Sequence, residues 1–127
     1  NIPSIREHGL LCWPELRNRG IVHWASSNKL SRNLDLNAGL AGYIRLCSST
    51  SHPLASRAKY ENRVEHIVWL SIDKSVIKWE KTMFSDRNAT DNNALVNNRS
   101  NTFLNSADAQ KEVLVKWGLN SKYIKFP

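Results

Sequence analysis

Apolar positions along the chain follow two periods, one helical and one extended. In residues 1–11, Ile2, Ile5, Leu10 and Leu11 suit one short amphipathic helix, capped by Ser4 or Asn1 and stopped by Gly9. Residues 40–47 form an apolar run of strand formers, with Gly39 and Gly42 near its start, and predict a strand. A turn-rich break follows at 48–53, and residues 54–62 suit a helical turn. The segment HIVWLSID, residues 66–73, is the strongest strand pattern in the chain, β-branched and aromatic, with apolar and polar residues alternating toward its end. After a turn at 73–75, residues 76–79 are expected to extend the sheet. KEVLVKW, residues 111–117, predicts another strand and residues 123–126 a last one.

Long polar connections separate these runs. Residues 12–37 carry five basic side chains, Arg17, Arg19, His23, Lys29 and Arg32, and read as a loop or short helical turns. In residues 85–106, seven of the 22 positions are Asn, too polar for a core; ordered loops of this length are usually functional or mobile. The predicted architecture is α+β, with short strands, one or two helices and long polar connections. Residues 1–127 make one domain, without a fixed-period repeat or an obvious linker.

Composition narrows the partner. Hydrophobic residues at 41% and charged residues at 23% are ordinary globular usage, which excludes a disordered tail or a fibrous repeat. Eighteen Lys and Arg against 11 Asp and Glu leave a net charge of +7, which favours a polyanion: nucleic acid or an anionic membrane surface. The apolar runs are too short to span a bilayer, and no charged leader precedes an apolar stretch, so a cytoplasmic chain is expected. Cys12 and Cys47 are the only cysteines, too few for a disulfide framework. His8 and Cys12 sit four apart and would share a helical face, yet two ligands do not close a metal site. The first residue is Asn1 rather than Met, which implies a processed, trimmed or excised chain.

Phosphate-loop, dinucleotide-fold and metalloprotease signatures are absent, and the Ser and Thr residues before His52 have no nucleophile-elbow motif around them. Glu112 opens a strand in which Val113, Val115 and Trp117 alternate onto one face, leaving Glu112, Leu114 and Lys116 on the other. Periodicity alone makes Glu112 a solvated carboxylate at a strand end. The Asn-rich segment just before it would set a mobile polar loop beside that carboxylate. Arg32 is, by itself, a surface arginine. Tyr43, Arg45 and His52 surround a strand end and turn, where they read as sheet packing, a strand charge and a turn residue.

Taken in order, these pieces resemble a known family. NIPSIREHGLL, SRNLDLNAGLAGYIRL with HPL shortly after, VWLSID, MFSDRNAT and the terminal QKEVLVKWGLNSKYI are similar to the DarT family of nucleic-acid ADP-ribosyltransferases. Its matching blocks look like NLPSI..GLL, R…L.DYVRL…HPM, FSDgNA and AEvLV…P..YI. The resemblance implies an ADP-ribosyltransferase fold, a split mixed β-sheet with NAD in the cleft between its halves. It aligns Glu112 with the catalytic glutamate and Arg32 with the catalytic-site arginine. Asn1, Gly9, Tyr43 and His52 fall at the cofactor cleft. Residues 88–111 fall on the loop facing the substrate base, with Asn88, Asn92 and Asn93 as base-binding candidates. Family members modify a base of single-stranded DNA, and a macrodomain antitoxin often reverses the mark. Two departures stand out: the family's first, His-containing strand is not in this chain, and Leu54 replaces the Met of HPM.

The residue chemistry is compatible with that reading. Breaking the nicotinamide–ribose bond develops positive charge on the ribose, which a fixed carboxylate stabilises. A guanidinium at Arg32 would bind oxyanions bidentately. Trp13 or Trp24 would stack on unpaired bases, whereas Trp69 and Trp117 are expected in the core. The alternatives are an RNA or protein acceptor, or a non-enzymatic basic module that binds single strands; an exposed Glu112 would favour the module.

Overall fold

The computed structural model describes residues 2–21 and 29–127; Asn1, His23 and Trp24 lie outside the described residues. The first half of the chain forms helix α1 (Ile2–His8), strand β1 (Leu10–Leu11), helices α2 (Trp13–Asn18) and α3 (Lys29–Asn37), strand β2 (Tyr43–Cys47) and helix α4 (Pro53–Tyr60). There follow strand β3 (Ser71–Ile72), a 3-10 turn (Lys74–Lys78), strands β4 (Met83–Ser85) and β5 (Val96–Asn97), and helix α5 (Ser100–Leu104). Strands β6 (Glu112–Lys116) and β7 (Gly118–Leu119), a second 3-10 turn (Ser121–Tyr123) and strand β8 (Ile124–Lys125) complete the order.

The principal sheet runs β2-β6-β4-β5, while β1 pairs with β7 and β3 with β8. Patterning predicted α+β, and α+β is observed. The sheet is antiparallel rather than mixed: every pairing among the described residues is antiparallel. A parallel pair needs a long crossover, usually a helix, and the longest helix among the described residues, α3, has nine residues.

Strand β6 is the interior strand. Glu112 stands opposite Cys47 on one side and Ser85 on the other, and Leu114 opposite Arg45 and Met83. Its first four residues are all buried. Val113 and Val115 join Cys12, Ile44, Val76, Phe84, Leu119 and Ile124 in the main core, whereas Leu114 packs with Leu40 and Ala89 on the opposite face. Alternation alone suggested one buried face. A strand covered on both faces carries apolar residues at every position, and only the outermost, Glu112 and Lys116, are charged.

Three other expectations change. Of HIVWLSID, only Ser71–Ile72 is a strand, paired with Ile124–Lys125; Val68 and Trp69 are exposed. High β-propensity describes a side chain that fits a packed, paired surface, and the first part of that segment has no partner strand among the described residues. Residues 76–79 do not extend the sheet. Asp73 accepts a hydrogen bond from the Ser75 amide at 2.8 Å, which starts a 3-10 turn instead and buries Val76. Trp69 and Trp117 are 37% and 52% exposed; the tryptophan that packs against the core is Trp79, edge-on to Tyr123 at 4.9 Å.

Gly9 ends α1 at φ +77°, where its amide donates to the Ile5 carbonyl at 2.9 Å. The turn stops the helix at His8, so His8 and Cys12 do not share a helical face, and Cys12 instead precedes α2 in the core. A Cβ on Gly9 would lie 2.3 Å from the Leu119 carbonyl oxygen, so the β1–β7 pairing requires glycine here for space as well as for φ. Gly9→Ala should lower unfolding stability by more than about 1 kcal/mol in urea, with the slope on denaturant unchanged.

Candidate functional site

Side chains alternate across a sheet, so the face of β6 that carries Leu114 also carries Glu112 and Lys116. The register adds Tyr43, Arg45 and Cys47 from β2, and Met83 and Ser85 from β4. Arg45 and Glu112 are diagonal neighbours on this face, within reach of long side chains. The Arg45 guanidinium grips the carboxylate with Nε at 3.0 Å from Oε1 and Nη2 at 2.9 Å from Oε2. Its Nη1 donates to Asp35 Oδ1 at 2.8 Å, and Nη2 also donates to Asn88 Oδ1. One planar fork therefore joins β2, β6, α3 and the segment after β4.

Glu112 is 4% exposed, which corrects the expectation of a solvated carboxylate. Periodicity located it at a strand end correctly, but that end is flanked by β2 and β4 and roofed by the backbone at Ala89, whose amide donates to Oε2 at 2.8 Å. Among the described residues, Oε2 accepts from Arg45 Nε, Arg45 Nη2 and Ala89 N, whereas Oε1 accepts from Arg45 Nε alone. Oε1 thus retains hydrogen-bonding capacity.

Burial pushes the Asp35 carboxyl above the ordinary aspartate range, against the opposing pull of Arg45. For Arg45, burial disfavours the cation, but Glu112 and then Asp35 outweigh it and raise the guanidinium further. Both shifts are upward, which disfavours the charged form of Asp35 but favours that of Arg45. Arg45 gains from two carboxylates, while Asp35 shares a single cation with Glu112.

The remaining candidates separate into groups. Arg32 lies on α3 one turn before Asp35, half-buried with its side chain engaged, and this spacing puts both residues on one side of the helix. Tyr43 occupies the far end of the same sheet face, with the Lys116 ammonium 4.5 Å from its ring centre. His52 is buried and caps α4: its Nδ1 accepts from the Leu54 amide at 3.2 Å, so the neutral ring carries its proton on Nε2. Gly9 packs against the β7 backbone, and Asn1 is outside the described residues.

Residues 85–106 are more structured than their composition suggests, holding β5 and α5 rather than one open loop. Asp86 Oδ1 accepts from the Leu95 amide at 2.9 Å, Asn97 Oδ1 from the Arg99 amide at 2.9 Å, and the Lys111 ammonium donates to the Ser106 carbonyl at 2.9 Å. Short polar side chains bonding nearby amides are what Asp and Asn supply in turns. Asn88 is consumed by this scaffold: its Oδ1 accepts from Arg45, from the Thr90 amide and from the Thr90 hydroxyl, and its Nδ2 donates to Gln110 at 3.3 Å. Asn92 and Asn93 are exposed.

Sequence reasoning missed Arg45 and Asp35 as site residues. No local signal marks either one; their roles depend on the β2–β6 register and on where α3 docks. Two open hollows, of about 310 and 430 Å³, flank Trp117, and neither is lined by Glu112.

Arg45→Met should cost about 3–5 kcal/mol of stability, because Glu112 would then be buried without its cation. Asp35 supplies a pH test. With its folded pKa raised, the folded state binds more protons than the unfolded state between the ordinary aspartate value of 3.8 and the raised one, so this group's contribution falls as pH rises through that window. Subtracting the urea stability of Asp35→Asn from that of the parent at each pH should give a difference that declines over that window. A flat difference would contradict the assignment.

The family model described as DarT, ssDNA thymidine ADP-ribosyltransferase, matches residues 1–123 of the 127. No curated protein and no solved structure matches the chain.

Proposed function

Because the chain belongs to the DarT family of single-stranded-DNA thymidine ADP-ribosyltransferases, we propose that Glu112 and Arg32 carry the transfer of ADP-ribose from NAD to a thymine of single-stranded DNA. The single observation that carries this reading is the buried Glu112 carboxylate, held by a guanidinium and a backbone amide at the head of the central strand. Glu112 is not on the exposed outer face that would favour a non-enzymatic binding module.

NAD supplies an electrophilic ribose carbon: the breaking nicotinamide–ribose bond leaves its electron pair on a neutral nicotinamide while positive charge grows on the ribose. Glu112 meets that charge with a carboxylate already fixed by Arg45 and Ala89, so little reorganisation is needed as the charge develops. Oε1, the oxygen with capacity left, accepts a hydrogen bond from a ribose hydroxyl, and the carboxylate takes the proton that the attacking base releases. Arg32, beside Asp35 on α3, holds the diphosphate or orients the acceptor. Tyr43 faces the same side of the sheet and is the cofactor-cleft candidate best placed to join them. His52 and Gly9 contribute to the cofactor cleft indirectly, by fixing the start of α4 and the end of α1. Asn92 and Asn93 are left to read an unpaired base edge, whereas Asn88 acts by positioning Arg45.

A base edge sealed in a duplex cannot reach the ribose carbon, so single strands should react much faster than duplexes of the same sequence. A macrodomain antitoxin that removes the mark is the partner this reading implies. Among the described residues no helix is long and apolar enough to cross a membrane.

Incubation with labelled NAD and separate DNA, RNA and protein acceptors, followed by mass spectrometry, tests the reaction. Label on thymidine of single-stranded DNA is expected, and label confined to RNA or protein would overturn the acceptor assignment. Glu112→Gln should lower turnover by roughly 10²–10⁴. It also strips Arg45 of one carboxylate, so Tm should fall, and rates belong well below that transition. Arg32→Ala should impair modification far more than stability, with Arg32→Lys a partial rescue, because an ammonium cannot reproduce the planar fork. Full activity in either Glu112→Gln or Arg32→Ala would remove that residue from the mechanism.

A further inference from the structure

Trp117 sits where the chain leaves the principal sheet and turns to pair with β1. The corner demands a left-handed backbone, and Trp117 adopts φ +64°. Glycine is the usual residue for such a conformation, and a bulky aromatic there is a true outlier. Two short backbone bonds hold it in place: the Trp117 amide donates to the Gly42 carbonyl at 2.6 Å, and the Cys12 amide donates to the Trp117 carbonyl at 2.9 Å. Burial does not explain the indole, which is 52% exposed. A strained backbone carrying an exposed large ring points to a use for the ring.

Its surroundings say what kind of use. The Lys116 ammonium lies 4.8 Å from the Trp117 ring centre and 4.5 Å from that of Tyr43, so one cation bridges two aromatic rings. The indole edge lies beside Gly42, where an added Cβ would stand in ordinary contact, 3.5 Å from the ring. The indole forms a ridge between two open hollows. One is lined by Trp79, Lys81 and Lys116 among others, and the second by His8, Glu15 and Arg19 among others. Aromatic faces interleaved with cations are how proteins hold unpaired nucleobases and the phosphates between them. Lys116 and Tyr43 share the sheet face of Glu112, and the four steps from Glu112 to Lys116 span roughly 13 Å of strand. That is about four nucleotides of stacked strand, and fewer when the strand is drawn out.

We propose that Trp117, flanked by Lys116, forms a stacking platform for a nucleobase of the DNA strand a few nucleotides from the modified thymine. The proposal rests on the reading of this chain as acting on single-stranded DNA. A free dinucleotide is the rival occupant, since it too offers a planar base beside phosphates. The openness of the hollows and the chain's +7 charge favour a polymer that runs on past the platform.

Trp117→Gly tests this in a way a structural role would not mimic. Glycine relieves the backbone strain, so Tm should hold or rise, while affinity for a fluorescein-labelled single-stranded oligothymidylate, read by anisotropy without NAD at fixed salt, should fall roughly 5- to 100-fold. Trp117→Phe keeps a stacking face and should lose less. KM for NAD should not change. Unchanged DNA affinity in Trp117→Gly would overturn the platform, as would a raised KM for NAD with DNA affinity intact. A fall in Tm with equal binding losses in the Gly and Phe variants would make the residue merely structural and also overturn it. The two readings fail separately. A parent that modifies no DNA, yet binds it through Trp117, loses the reaction assignment and keeps the platform. A parent that modifies DNA and is indifferent to Trp117→Gly keeps the reaction and loses the platform, and a parent that binds no single strand loses both.

Discussion

The Arg45 guanidinium is the constraint around which the fold closes. A part-buried cation is tolerable only if its charge is answered, and the answers come from Glu112, Asp35 and Asn88. Those residues belong to β6, α3 and the segment after β4, so satisfying one side chain sets how three separate parts of the chain meet β2. The same arrangement leaves Glu112 buried and fixed, with one oxygen less engaged than the other among the described residues. Structural necessity and the proposed chemistry thus meet in a single ion pair.

The Asn-rich stretch follows a related economy. Its amides and carboxylates turn inward first: Asp86, Asn88, Asn97 and Asp108 each accept from a main-chain amide two to nine residues away. What remains at the surface, Asn92 and Asn93 among it, is carried on a framework already closed by those bonds and by Lys111 over the Phe103 ring. A polar composition therefore built a scaffold beside the carboxylate rather than an open connection.

At the opposite end of the central strand the balance is reversed. Around Glu112 the polar groups are largely answered, whereas at Trp117 the chain keeps a strained backbone and an exposed ring where glycine would relax both. Rigid pairing of β6 with β2 and β4 fixes the separation between these two ends. The two ends lie roughly 13 Å apart, the first closed over by packed side chains and the second presenting an exposed aromatic ring.

The sequence by itself determined the elements whose cause is local. The α+β class, α1 with its glycine stop, the strands at 43–47 and 112–116, and the order of motifs that carries the family are all readable from spacing and residue type. Tertiary structure decided everything that depends on a partner far along the chain. HIVWLSID has the propensity for a long strand but forms only two residues of one, because ladder hydrogen bonds need a neighbour. EVLVK alternates like a half-buried strand yet is buried on both faces, because it lies in the middle of a sheet. Arg45 and Asp35 carry no local mark, and they become site residues only when the β2–β6 register and the docking of α3 bring them to Glu112. Side-chain periodicity specifies a face; which face becomes an active one is fixed by what packs against it.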